Sequence, residues 1–363
     1  EFAPVLNQNQ QVAYDTMKNI MGNGTPGGLL GELGKEVTDT RDEAKLKELL
    51  DALSGAEYAT LMSSQQDAAR GHMRRLRGSM GSGHALAGTK TRAYIEAYTN
   101  RTEVDGDANG RGYEMTENGG QLALEFLGKE KVSGGLAVAA GRTKLQPDGG
   151  LTQKSNNTYV DAFMVCRVGG YAGKTSLGVG VHNYDLERQV MGNAASAQTD
   201  GYTVNFMHES AYAMALNESS SVQFFGAVES SMGKLDSFHE KGADTASLQV
   251  RSQDAWMTTL SAGARYHYNF AVVNAAPAAT LSLQTGLEYK LGDTESEVEM
   301  SFSGARDYAF RQYGTKRDRF GYNLGASLHV PVSSRAAIYA SGDAVLRGDS
   351  SEVNANLGVQ VAF

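Results

Sequence analysis

Histidines close to carboxylates are the residues of this sequence best suited to acid–base chemistry. His182 lies three positions before Asp185, and His208 directly precedes Glu209. A hydrolase needs such a pair together with an activated nucleophile and a third group that orients the base. Neither pair is accompanied by a nucleophile with such an orienting group, so we predict structural histidines and no enzymatic activity.

Thiol and metal chemistry has even fewer candidates. Cys166 is the single cysteine, so neither an intrachain disulfide nor a cysteine-rich zinc site can be assembled from this chain. We expect an inert thiol in a packed or lipid-facing position, and we predict no bound metal and no cofactor.

A basic stripe is the most unusual local feature. Arg70, Arg74 and Arg77 stand at positions i, i+4 and i+7, which places three guanidinium groups on one face of a helix. Arg75 and His72 flank this stripe. In isolation, a solvated basic face is the simplest interpretation. The elements that follow in the chain bear on that interpretation.

Charge and apolar patterning exclude several classes of protein. The chain has 363 residues with 33 Lys and Arg against 41 Asp and Glu, so we expect no nucleic-acid partner. No stretch reaches the roughly 18 apolar residues of a membrane helix. Residues 1–4 lack a basic or apolar signal region, and we expect any signal peptide to be already missing. A membrane barrel is not excluded, because its strands alternate in polarity.

The N-terminal part of the chain has helical periodicity. Leucines at helical spacing predict an amphipathic helix over residues 39–53, and residues 7–21 form a weaker candidate. Residues 25–34 are rich in glycine and are expected to be a connector. A third helix is predicted over residues 56–76, where it carries the arginine stripe, and its pattern is lost over residues 78–88.

From residue 90 onward the periodicity changes to two. Residues 280–291 alternate apolar with polar side chains, and residues 256–268, 319–330 and 353–363 repeat the pattern. Strands of soluble sandwiches are usually about 5 or 6 residues long, whereas a tilted strand needs roughly 9 to 11 residues to cross a bilayer. Aromatic residues near the strand ends suit interfacial girdles. We therefore predict apolar faces toward lipid and polar faces toward a lumen.

Twelve strands are predicted, an even number that allows antiparallel closure. The predicted strands are residues 91–101, 119–129, 133–144, 157–167, 172–185, 199–212, 220–233, 254–268, 278–291, 317–330, 335–347 and 352–363. Short connections alternate with longer ones, as between periplasmic turns and outer loops. The longer connections are expected at residues 102–118, 186–198, 234–253 and 292–316.

Glycine is abundant and proline is scarce, at 43 and 5 residues. Closed ladders need every backbone N–H, which explains the few prolines. Glycines on the predicted lumen face either let the wall curve or leave room for an object in the pore. They are Gly178, Gly180, Gly263, Gly286, Gly321, Gly325 and Gly358.

In the order of these features, the sequence resembles the translocator domain of the classical autotransporters, the type V secretion proteins. The resemblance extends over nearly the whole chain. It rests on residues 7–13, 53–59, 66–70 and 74–77, on the segments 91–101, 134–141, 178–188 and 225–243, and on the terminal Phe363.

The resemblance implies a fold and a division of the chain. The fold is an all-β transmembrane barrel of about twelve antiparallel strands with an N-terminal α-helix inside the pore. Residues 1–55 would be a helical pre-barrel linker, residues 56–88 the pore-spanning helix and connector, and residues 89–363 the barrel. Such a domain anchors and exports an N-terminal passenger through the outer membrane of a Gram-negative bacterium, and the linker helix then plugs the pore.

The resemblance also implies roles for individual residues. The arginines of the pore helix would be Arg70, Arg74, Arg75 and Arg77. Their acidic partners in the lumen would be Glu96, Glu125, Asp161, Glu209, Glu288 and Asp343. The barrel-assembly machinery would recognise a C-terminal signal made of Leu357, Val359, Val361 and Phe363. The implied partners are the passenger, that machinery and outer-membrane lipids, with the barrel itself monomeric.

Two other functions stay open on the residues alone: an outer-membrane barrel protease or lipase with catalytic residues at its rim, and a porin. Neither accounts for a helical segment with an arginine stripe ahead of the strands. Some autotransporters cleave their passenger between two adjacent asparagines of the plug helix. Residues 50–88 contain no asparagine, and Asn156-Asn157 is the only such pair, so this cleavage is not expected.

Overall fold

Helices precede the β-structure. The computed structural model describes residues 3–80, 91–127, 131–147, 151–271 and 278–363. Within them the helices are α1 (Gln8–Asn23), α2 (Gly28–Asp39), α3 (Glu43–Ser54) and α4 (Ala59–Ser79), with a 3-10 turn at Ala56–Tyr58. No α-helix of these segments combines the length and apolarity needed to span a membrane. The helical pattern is predicted to be lost over residues 78–88. From residue 81 on, this segment lies outside the described residues.

Local side-chain caps set the starts of α1 and α3. Asn7 and Gln10 form a capping box in which each side chain accepts from the backbone N–H of the other, at 2.8 and 3.1 Å. Asp42 accepts from the N–H of Ala44 at 3.0 Å. Helix α3 was predicted over residues 39–53. It begins only at Glu43, because Asp42 is its N-cap.

Helix α2 contradicts the predicted glycine-rich connector at residues 25–34. Leu30, Leu33 and Val37 are buried on one face of this helix. Gly34 packs where a Cβ would lie 2.6 Å from the sulfur of Met21, so a small residue is required there. Tertiary packing of an apolar stripe has outweighed the low helix propensity of glycine.

Twelve strands form a closed antiparallel barrel, which confirms the predicted fold class. All strands are numbered in chain order, and the numbers 8, 9, 12 and 13 belong to four strands outside the barrel that are described below. The barrel strands are β1 (Thr91–Val104), β2 (Tyr113–Leu127), β3 (Val132–Pro147), β4 (Thr152–Val168), β5 (Tyr171–Val190), β6 (Asn193–Ala215), β7 (Ser220–Leu235), β10 (Gln253–Phe270), β11 (Ala279–Gly292), β14 (Phe320–Pro331), β15 (Ala336–Leu346) and β16 (Ser350–Ala362). β1 pairs with β16 and closes the cylinder. Each barrel strand therefore has a neighbour on both sides, and no barrel edge is left open.

Alternation along the strands separates a lipid-facing surface from a lumen. Ile95, Leu177 and Leu357 are about 60% exposed on the outer surface. The residues that alternate with these apolar side chains along each strand point inward and are buried. The long connection predicted at residues 186–198 is wrong, because β5 and β6 continue to a two-residue hairpin turn. Met191 and Gly192 occupy that turn with φ values of 47° and 85°.

The two longest predicted loops contain a second sheet. The strands β8 (Phe238–His239), β9 (Leu248–Val250), β12 (Glu297–Phe302) and β13 (Ala305–Tyr313) pair in the order β13-β12-β9-β8. The sequence pattern predicts loops for these residues, because their strands are short. The helices α1 to α3 pack on this sheet and on the extended ends of β5 and β6, and they share one apolar core with them. We call α1 to α3 with these four strands the cap.

Helix α4 lies inside the barrel and is buried along nearly its whole length. At its start, the side chain of Gln253 donates to the carbonyl of Tyr58 at 3.3 Å, at the end where the cap sits. Toward its other end, Lys174 donates to the carbonyl of Arg77 at 2.7 Å. The helix thus runs from the cap end to the short-turn end, where the chain also ends at Phe363.

Candidate functional site

The arginine stripe of α4 faces acidic residues of the barrel wall. Arg74 places Nη2 at 2.9 Å from Oε1 of Glu288 and Nη1 at 3.1 Å from Oδ2 of Asp343. Arg77 places Nη1 at 2.9 Å from Glu229 and Nε at 3.5 Å from Glu209. These guanidinium groups are at most 5% exposed. They form charge-assisted contacts inside the pore instead of a solvated face.

Arg70 belongs to a larger cluster of buried charges near the cap end. It bonds to Glu352 on β16 and lies 3.3 Å from Asp67, which precedes it on the helix. Asp67 in turn pairs with Arg317 at 2.9 Å. The cations of this cluster are Arg70, Arg74, Lys290, Arg317 and Arg347, and the carboxylates are Asp67, Glu288, Asp343, Asp349 and Glu352. Helix and wall contribute both signs of charge, so each compensates the other.

A different set of contacts holds the opposite face of α4. The guanidinium of Arg75 stacks 3.5 Å above the ring of Tyr98, a cation–π contact, and its closest carboxylate is Glu117 at 4.0 Å. His72 lies 2.6 Å from Asp161 and stacks on the ring of Tyr159. Aromatic rings of the wall therefore support this face of the helix together with carboxylates.

The six acidic residues predicted for the lumen all lie inside the barrel, but they do not all meet the arginines. Glu288, Asp343 and Glu209 contact the stripe, as described above. Asp161 pairs with His72 instead. Glu96 accepts from Tyr339 and Asn356 at 2.9 and 3.0 Å, and Glu125 accepts from Tyr94 and Ser133.

The reason is that alternation predicts the face of a strand, whereas height and position around the barrel decide which residue meets the helix. Glu229 and Glu352 were missed, although their positions on the inward rows of β7 and β16 make them detectable from the same alternation. Arg317 was included in the predicted strand 317–330 but lies just before β14, which begins at Phe320. Asp67 lies on the helix itself, where no strand pattern applies.

Glutamines near the start of α4 bind to the wall through its backbone. Gln65 donates to the carbonyl of Tyr202 at 3.0 Å, and Gln66 donates to that of Ala255 at 3.1 Å. Gly201 and Gly233 make this approach possible, because a Cβ would lie 2.5 Å from Oε1 of Gln65 and 2.8 Å from Nε2 of Gln66, respectively.

The seven glycines singled out from the sequence have other neighbours. The nearest atoms around them belong to the barrel wall, such as Asp161 beside Gly178 and Tyr339 beside Gly358. They make room for side chains of the wall, so the prediction that they make room for an object in the pore was wrong for this set.

The histidine pairs offered for acid–base chemistry are separated by the strand alternation. His182 points inward to Asn157 at 3.0 Å and Thr203 at 3.3 Å, while Asp185 points outward to Gln198. His208 bonds to Thr175 and Ser210, whereas Glu209 forms a bidentate pair with Arg265 inside the barrel. In neither pair does the carboxylate orient the imidazole.

A buried charged pair joins the cap to the start of α4. Arg188 on β5 forms two bonds of 2.8 Å with the carboxylate of Glu240, and Tyr58 donates to the same carboxylate at 2.5 Å. Burial and the neighbouring Glu240 raise the pKa of Tyr58 well above its ordinary value. Arg188 also donates to the carbonyl of Ala52 in α3. One carboxylate thus ties the loop before β9 to the barrel wall and to the chain entering the pore.

Two further contacts attach α1 and α2 to the cap sheet. The side-chain amide of Asn9 donates to the carbonyl of Tyr313 at 2.7 Å and accepts from its N–H at 2.9 Å, which satisfies both backbone groups of that residue in β13. Asp244 and Thr245 accept from the N–H groups of Leu29 and Leu30 at 3.1 and 3.0 Å. The connection between β8 and β9 therefore caps the start of α2.

Comparison with known proteins identifies the family. The family model described as autotransporter beta-domain matches residues 93–343, which is more than half of the chain. The chain belongs to the autotransporter β-domain family. A search of curated protein sequences gave no match.

Solved autotransporter structures share the fold. The translocator domain of the autotransporter NalP from Neisseria meningitidis has 14% identity and a TM-score of 0.68, covering 84% of this chain and 99% of that one. The β-domain of the Bordetella autotransporter BrkA has 12% identity and a TM-score of 0.58, covering 76% and 100%. The transport unit of AIDA-I from Escherichia coli has 10% identity and a TM-score of 0.51, covering 86% and 99%.

Membership of this family gives the autotransporter β-domain its general role. It is an outer-membrane translocator, and the family implies a passenger N-terminal to the barrel. Translocator domains are transport units, and the rim-protease, lipase and porin alternatives are not favoured.

Proposed function

We propose that α4 plugs the translocation pore after export and that the cap closes the outer mouth above it. The observation that carries this proposal is the burial of opposite charges between helix and wall, centred on Arg70, Arg74 and Arg77. Each of these side chains is at most 5% exposed and lies within 4.0 Å of at least one carboxylate. Removing one partner would leave an uncompensated buried charge, so the helix is held in one position.

The cap supports a second closure. Its apolar core includes Met17, Leu33, Leu50 and Leu248, which are at most 4% exposed. The same cap bonds to the wall through Glu240 and Arg188. A folded unit fixed above the mouth would obstruct ions even if the helix below it were loosened.

Single-channel conductance in planar bilayers tests both closures. The test variant is R70Q/R74Q/R77Q, and the matched control is R101Q/R251Q/R311Q, which removes three exposed arginines. We expect the control to stay as closed as the parent chain. The test variant should open when it is combined with deletion of residues 1–55. Conductance equal to the parent in that combined variant would contradict the proposal, provided that the barrel is folded.

Location and partners follow from the same proposal. The barrel resides in the outer membrane as a monomer, with the passenger joined ahead of α1 on the cap side. The C-terminal signal of Leu357, Val359, Val361 and Phe363 is read by the barrel-assembly machinery. In support, these four side chains form one lipid-facing row and are 59%, 43%, 38% and 61% exposed.

A further inference from the structure

Three exposed cations lie together on the outer face of β3 and β4. Lys144 and Lys154 are directly opposite each other in the ladder, and Arg142 is next to Lys144 on the same face. Like charges at directly opposite positions destabilise a strand pair. Arg142 donates to Asn156 at 3.2 Å, which leaves its charge uncompensated. The pairing therefore creates a local excess of positive charge that an anion would relieve.

Some exposed cations at other places on the molecule have carboxylate partners. Arg101 lies 2.5 Å from Glu103 and 3.1 Å from Glu114, and Arg311 lies 3.2 Å from Glu297. The three cations of β3 and β4 have no carboxylate within 4.0 Å among the described residues.

Three carboxylates flank the cations in the ladder. Asp185 is opposite Lys154 on β5, where it accepts from Gln198 at 2.8 Å. Glu114 is diagonal to Lys144 on β2 and is engaged by Arg101. Glu187 on β5 also faces outward and is diagonal to Lys154. The three cations are thus flanked by two carboxylates, Asp185 and Glu187, that form no ion pair with another described cation.

The three cations stand at the level of a lipid headgroup. Val138 and Ala140 precede Arg142 on the lipid-facing row of β3, and Arg142 lies about 7 Å along the strand beyond Ala140. The headgroup layer extends roughly 5 to 8 Å beyond the hydrocarbon on each side of a bilayer. The flexible stems of Lys144 and Lys154 can reach back toward that layer.

The wall below the cations has a surface of small side chains. Gly120, Ala140 and Thr158 are in register on β2, β3 and β4, so small side chains form a shallow row. On β10 and β14 the lipid-facing rows end toward the cap in large aromatic residues, Trp256 and Phe320, which are 44% and 58% exposed. On β2 to β4 small residues with cations above them stand in this part of the wall.

We propose that Arg142, Lys144 and Lys154 bind the phosphate of an anionic lipid in the outer leaflet, with an acyl chain lying over the row of small residues. The proposal rests on the membrane placement given under the proposed function. Ammonium and guanidinium groups form charge-assisted bonds with phosphate oxygens, and a phosphate between the two lysines would reverse their repulsion. The chemical group that these three cations bind is a phosphate monoester on a lipid headgroup.

Lipid retention tests this inference. The full chain is reconstituted in phosphatidylcholine nanodiscs containing diphosphoryl lipid A, extracted in mild detergent, and analysed by mass spectrometry for lipid that stays bound. The variant K144Q/K154Q should retain about tenfold less lipid A than the parent. The control R101Q/K234Q removes two exposed cations elsewhere and should retain as much as the parent.

Three results would overturn the inference. They are equal retention by K144Q/K154Q, equal retention of dephosphorylated lipid A by the parent, and displacement of the lipid by inorganic phosphate, which would indicate a site for free phosphate. Heat-dependent gel migration verifies that each variant is folded. Because K144Q/K154Q leaves the pore contacts intact, its conductance should equal that of the parent, so a failure of the plug proposal would be seen separately.

Discussion

Nη2 of Arg74 on the pore helix lies 2.9 Å from Oε1 of Glu288 on the wall, and the two side chains are 4% and 2% exposed. Glu288 is shared, because Oε2 of the same carboxylate lies 2.8 Å from Nη2 of Arg347. A carboxylate between a helix arginine and a wall arginine couples the position of α4 to that of the barrel. Its removal would leave like charges facing each other.

Glu288→Gln is expected to destabilise the folded chain by about 3–5 kcal/mol, because it leaves buried guanidinium groups without their shared partner. Asp343→Asn is the matched control, since Asp343 is 24% exposed and should cost less. The free energy of unfolding in urea, followed by Trp256 fluorescence, measures both. Equal effects of the two substitutions would argue against Glu288 as the centre of the cluster.

Two glycines of α4 provide a steric test of the plug. A Cβ on Gly71 would lie 2.7 Å from Nδ2 of Asn100, whereas Gly78 has nothing within 4 Å. Gly71→Leu should cost about 1–3 kcal/mol through overpacking. Gly78→Leu should be neutral or stabilising by up to about 1 kcal/mol through helix propensity. Urea unfolding of the two variants checks this difference, and an equal cost for both would contradict the packing described for α4.

Glu57 gives the cap a pH dependence. It is buried in the turn before α4, outside the apolar belt, and burial raises its pKa above the ordinary value, although Arg188 and Arg111 oppose that shift and Asp51 adds to it. The folded state then binds the proton more tightly than the unfolded state. Its stabilising contribution is complete below the unfolded pKa of about 4.3 and is lost as pH rises through the folded pKa.

Glu57→Gln removes this titration. We expect the parent cap to lose protection against amide hydrogen exchange in α3 as pH rises from 4 toward neutrality, after correction for the intrinsic exchange rate. The variant should lose less protection over the same range. Identical pH profiles would show that Glu57 does not control the cap.

Deleting Phe363 is expected to slow the appearance of folded barrel in the outer membrane of cells, because the proposed C-terminal signal would lose its last side chain. The deletion also removes two backbone hydrogen bonds of 3.1 and 3.3 Å that Phe363 exchanges with Thr91 at the start of β1. Pulse-chase labelling with heat-dependent gel migration measures the rate. Tyr289→Ala, which also removes an exposed aromatic residue, is the control, and equal rates for both variants would exclude a special role for the terminus.

The sequence by itself determined the closed barrel, its twelve strands and the face on which residues of those strands lie. This is possible because side chains of a strand alternate between its two faces, and the face in contact with the bilayer must be apolar along the whole membrane-spanning length. The arginine stripe was likewise readable, because residues at i, i+4 and i+7 share a helix face. Glu96 and Glu288 were therefore both assigned correctly to the lumen.

Only the tertiary structure decided which of these residues meet. Glu288 lies at the height of Arg74, whereas Glu96 is bonded to Tyr339, and strand tilt and helix position set that difference. The cap could also not be predicted from the sequence, because its four strands are short. In addition, the first turn of α2 is capped by Asp244, a residue more than 200 positions away in the chain. Contacts so distant in the chain leave no local periodicity, and packing alone establishes them.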